Sequence, residues 1–60
     1  MENMKQYFVI ETVPTQAFWD SNQKRFRGWI FATKYNNYIE AENECRFCIK
    51  EPCKITAIFE

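Results

Sequence analysis

Six Phe, three Tyr and two Trp stand in a chain of only sixty residues, which is more aromatic surface than one small core can enclose. A chain this short buries only about 60% of the surface its unfolded form exposes, so its stability margin is thin. Disulfides, a metal or a partner subunit are the usual remedies. The aromatic excess favours the last, because a partner can cover apolar rings that the core cannot use. With one Gly and two Pro, the chain is neither a flexible linker nor low-complexity. Residues 1–60 read as a single domain.

Gln6 to Val13 (QYFVIETV) is β-branched, aromatic and alternating, and predicts a first strand ended by Pro14. Phe8 and Ile10 share one face; Tyr7 and Val9 share the other with Lys5 and Glu11, the wetter side. A short second strand is expected around Gln16 to Trp19, followed by the polar hairpin cluster Asp20-Ser21-Asn22-Gln23-Lys24. A third strand is expected over Phe26 to Tyr35. There Phe26, Gly28, Ile30 and Ala32 alternate with Arg27, Trp29, Phe31 and Thr33, and the face with small residues is assigned to the core. Asn37 with Glu40 three residues on resembles a capping box, opening a helix from Tyr38 to Lys50 that Pro52 stops. Tyr38, Ala41, Cys45, Cys48 and Ile49 form its apolar stripe. Cys53 to Phe59 alternates again as a last strand. The fold class is therefore α+β: a β-β-β-α-β order, a mainly antiparallel sheet and one helix packed on one face, with the helix a right-handed crossover if its flanking strands are parallel.

Few residues offer chemistry. The absence of His removes Ser-His-Asp and Cys-His machinery. Glu40, Glu42 and Glu44 do not converge on a helix, and Gly28 alone cannot build a phosphate loop. No catalytic residue and no cofactor is expected. The arrangement Cys45-Arg46-Phe47-Cys48 with Cys53 has three readings: a zinc site lacking a fourth ligand, a thiol redox pair opposed by the helix dipole, or small buried hydrophobes. The third is preferred. Three cysteines without a secretory signal point to reduced thiols and a cytoplasmic chain. No segment reaches the roughly 18 apolar residues of a membrane span, so no membrane partner is expected.

The surface is more informative. Tyr7, Val9, Trp29, Phe31 and Ile58, with Trp19, would leave one sheet face aromatic and uncovered, and Phe47 and Ile39 lie off the helix stripe. Such a patch would rival or exceed the roughly 300–600 Å² usual on a soluble monomer, which predicts burial against a second copy of the chain in a homodimer. The competing reading is a strongly twisted sheet that wraps these rings into one core, with the strand phases shifted by one residue. The alternative is nucleic acid, with Trp29 and Phe31 beside Lys24, Arg25, Arg27 and Lys34. Against it, eight basic and eight acidic residues give no net charge.

Two resemblances follow. From Gln16 to Cys48, the layout and the run FRGWIFATKYNNYIEAE resemble the DNA-binding domains at the N-termini of some phage and transposon integrases, which implies a sheet entering the major groove. With YFVIET, ATKYNNYIEAE and KITAIFE, the whole chain resembles short ββαβ proteins of bacteriophages and mobile elements of gut bacteria, including small inhibitors of bacterial defence systems. That likeness implies, at most, a protein that acts by binding another macromolecule; with no catalytic residue in view, the expected function is a non-enzymatic protein-interaction module.

Overall fold

The computed structural model describes residues 4–13 and 16–60. Its elements are β1 (Gln6–Thr12), β2 (Phe18–Asp20), β3 (Arg25–Arg27), a 3-10 turn (Trp29–Phe31), α1 (Tyr38–Phe47) and β4 (Cys53–Phe59). The strands form one antiparallel sheet in the order β3-β2-β1-β4, so the chain is a small α+β protein of β-β-β-α-β order. Because β3 and β4 are antiparallel edge strands, the handedness rule for parallel crossovers does not apply to α1. Pro14, expected to end the first strand, lies outside the described residues.

The longest pairing joins the two strands most evident in the sequence. β1 and β4 run in unbroken register from Gln6↔Phe59 to Thr12↔Cys53. Alternation places Phe8, Ile10, Cys53 and Ile55 on the helix face, where they meet Ala41, Cys45 and Ile49. Trp19 and Phe26 complete this core as an edge-to-face pair with centroids 5.1 Å apart. A fully buried Ile or Val side chain contributes about 1.5–3 kcal/mol, so Val9, Ile10 and Trp19 dominate so small a core.

α1 begins as its cap predicts: the Asn37 side chain accepts from Glu40 N at 2.9 Å, satisfying one of the free N–H groups of the first turn. It ends at Phe47, three residues before the expected Lys50. Cys48 N still donates to the Glu44 carbonyl, after which the chain leaves the helix and buries Ile49. Cys48 is exposed rather than part of a buried stripe. Cys45 and Cys53 are joined as a disulfide, which corrects the expectation of reduced thiols. The bond ties the helix to the start of β4, a link of eight residues along the chain; by loop-closure entropy it is worth about 2–3 kcal/mol.

The expected strand over Phe26 to Tyr35 does not form as one element. β3 stops at Arg27, Gly28 to Phe31 arches away, and Tyr35 rejoins the sheet beside Phe8, with reciprocal backbone bonds of 2.9 and 2.8 Å. The cause is competition for one place: β2 pairs with β1 only at Glu11↔Phe18, which leaves the inner half of that edge to Tyr35. Ile30, assigned to the core by alternation, is therefore 83% exposed, and Gly28 faces open space rather than the helix.

Candidate interaction surface

Trp19 faces the helix, so its neighbours Phe18 and Asp20 point to the opposite, outer side of the sheet. Asp20 is buried and satisfied. Its Oδ1 accepts from the backbone N–H of Asn22 at 3.0 Å and of Gln23 at 3.3 Å, closing the hairpin, while Oδ2 accepts from Arg27 at 3.1 Å. Burial alone would push the Asp20 carboxyl up, but the Arg27 hydrogen bond, the two backbone donors and the Arg27 charge together hold it below its ordinary value.

Arg27 also lies over the Phe31 ring, 3.6 Å from its centroid. Trp29 packs edge-to-face on Phe18 at 5.0 Å. The arch is thus held at both aromatic ends. It is also held by its backbone: Phe31 N donates to Gly28 O and Ala32 N to Trp29 O, each at 3.0 Å, and Thr33 N to Trp19 O at 3.0 Å. Thr33 Oγ1 accepts from Ser21 N at 2.9 Å, which fastens the exit of the arch to the hairpin. What remains outward is a fixed apolar crest, with Trp29 at 44%, Ile30 at 83% and Phe31 at 43% exposure.

The expected interface residues therefore separate. Trp29 and Phe31 share the crest, and Phe47 is exposed on α1. Tyr7 and Ile58 pair across β1 and β4 and are half-buried. Val9 and Trp19 are corrected: Val9 is fully closed to solvent, although alternation puts it on the outer face, and Trp19 is in the helix-side core. Neither can offer a contact surface. The outer side is thus not bare, because the arch of Trp29–Phe31 packs on β2. Sequence alternation missed Ile30 at the crest. A lone glycine inside a strand-like run was the available signal, since Gly there often marks a bend.

The cations of the nucleic-acid alternative are mostly engaged. Arg27 bonds Asp20, Lys34 Nζ donates to both Glu60 oxygens at 2.8 and 2.9 Å, and Lys24 lies 3.7 Å from Glu44. Among the described residues only Arg25 of the four has no ion-pair partner. The three thiols are not free together either, because Cys45 is bonded to Cys53. Among the described residues, no helix is long and apolar enough to cross a membrane. Comparison with protein-family models, curated proteins and solved structures finds no match to this chain.

Proposed function

We propose that this chain is a non-enzymatic protein-interaction module that works as a homodimer and presents the crest Trp29-Ile30-Phe31 to a protein partner. The observation that carries the partner-binding reading is the construction of the crest: three large apolar side chains lie outward on an arch whose both ends are fixed by packing and hydrogen bonds. Such preorganisation lowers the ordering cost of binding, and Trp is among the residues that most often anchor interfaces. A partner that docks here buries apolar surface without unfolding the arch.

The pairing of Arg27, Lys34 and Lys24 with carboxylates makes nucleic acid the weaker alternative, because phosphate contacts need cations free to release counterions. The test is a photo-crosslinking residue at position 30, compared with one at Asn22 in the polar hairpin, each expressed in the source cells. A discrete protein adduct from position 30 and none from position 22 is expected. Equal background from both sites would overturn the reading.

A further inference from the structure

The backbone of β4 has one side in use and one side free. Lys5 and Glu60 exchange both of their hydrogen bonds, at 2.8 and 3.0 Å, and antiparallel ladders alternate such pairs with non-bonded ones. Tyr7↔Ile58, Val9↔Thr56 and Glu11↔Lys54 are therefore the bonded pairs between β1 and β4. The N–H and C=O groups of Cys53, Ile55, Ala57 and Phe59 must point the other way, to the open edge of the sheet. Among the described residues none of these groups has a hydrogen-bond partner. β4 is also seven residues long, without proline or a bulge, and Lys54 is its only charge. Long bare edges of this kind are templates for strand addition. The other sheet edge, β3, has three residues, two of them Arg.

We propose that the β4 edge is a self-association site, at which β4 of a second copy pairs antiparallel about a two-fold axis through Thr56. This rests on the homodimer reading above and says where the two copies meet. One register satisfies every outward group: Cys53 opposite Phe59 of the second copy, and Ile55 opposite Ala57 of the second copy. On the outer face Thr56 then meets its own counterpart through its methyl group, its hydroxyl donating to Glu11 of the same copy, and Lys54 faces Ile58 rather than another lysine. Glu60 of the second copy lies diagonally from Lys54, so the carboxylate that holds Lys34 within its own copy also faces a second cation.

The side chains on the helix face fit the same register. Between α1 and β4 runs an open groove of about 560 Å³ lined by Tyr38, Cys45, Cys53 and Ile55 and rimmed by Glu42 and Arg46. Phe59, on the same sheet face, is 60% exposed. Opposite Cys53, the Phe59 ring of the second copy enters this groove, and the exchange is reciprocal, as a two-fold interface requires. With strands about 4.8 Å apart and α1 seated over both β1 and β4, the two helices lie about 10 Å apart, an ordinary packing distance. The crest lies on the far side of β2 and stays free in both copies.

Amide hydrogen exchange of the unmodified protein over a range of concentrations tests this site. The Thr56 and Ile58 amides, bonded to β1, should be protected throughout, whereas those of Ile55 and Ala57 should gain protection only as the dimer forms. Free exchange at Ile55 and Ala57 in a demonstrated dimer would overturn the β4 site and leave the homodimer reading standing; a monomer at every concentration would overturn both. Ala57→Pro removes an outward N–H and none of the bonds to β1, and proline is tolerated at strand edges. That variant should keep its far-ultraviolet circular dichroism and be monomeric where the parent is dimeric. A folded Ala57→Pro protein that dimerises as tightly as the parent would contradict the proposal.

Discussion

The indole N–H of Trp19 donates to Glu44 Oε2 at 2.8 Å, a bond that ties β2 to α1 across the edge of the core. Trp19 is buried, so a lost acceptor leaves a donor without water. Glu44→Ala should therefore cost about 1–3 kcal/mol in urea unfolding, and Glu44→Gln, which keeps an acceptor oxygen, much less. Equal costs for the two variants would mean that the bond contributes little.

Tyr35 presents the opposite case. Its hydroxyl is buried with no hydrogen-bond partner, although its backbone is bridged to Phe8. Burial first, then the charge of Glu44, push its ionisation from 10.0 up to about 12. Tyr35→Phe should leave stability unchanged or raise it by about 1 kcal/mol. The unfolded chain loses this proton near pH 10 and the folded chain near 12. Stability linked to Tyr35 is thus complete below pH 10 and is lost as pH rises through 12. The stability difference between parent and Tyr35→Phe should shift further in favour of the variant across that window.

Asp20 sets the acid side. Its folded value lies below the ordinary 3.8, so the unfolded chain takes up the proton first as pH falls. Its contribution is present above the ordinary value and is lost as pH drops through the folded one. Thermal melts from neutral to strongly acidic pH should show a steeper acid decline in the parent than in Asp20→Asn. Parallel declines would mean that the Arg27 and hairpin bonds do not favour the carboxylate.

Ile10 and Ile30 separate the core from the crest. Ile10 is fully buried and Ile30 is the most exposed large apolar residue described. Ile10→Val should cost about 0.5–1.5 kcal/mol, and Ile30→Ala should fall within about 0.5 kcal/mol of the parent. A large loss at Ile30 would restore the strand that alternation suggested.

Where local rules act alone, the fold could be read in advance. β4 occupies Cys53–Phe59 as its alternation predicts, α1 starts at the Asn37 cap, and Phe8 with Ile10 forms the helix-side face. What could not be read depends on long-range competition. Phe26 to Tyr35 has the period of a strand, but that period also fits an arch whose odd residues pack on the outer face. Consecutive burial of Val9 and Ile10 requires cover on both sides of β1, which no pattern within β1 reveals. The Cys45–Cys53 bond likewise depends on long-range placement, because it joins a helix that ends at Phe47 to the start of β4. The crest is half legible: alternation puts Trp29 and Phe31 outward, but assigns Ile30 between them to the core.

The homodimer is the claim on which the functional account turns, and light scattering across the micromolar range measures it directly. A mass that rises to twice that of the 7.3 kDa chain and stays there is the predicted result. A constant monomer mass up to high micromolar concentration would contradict the account.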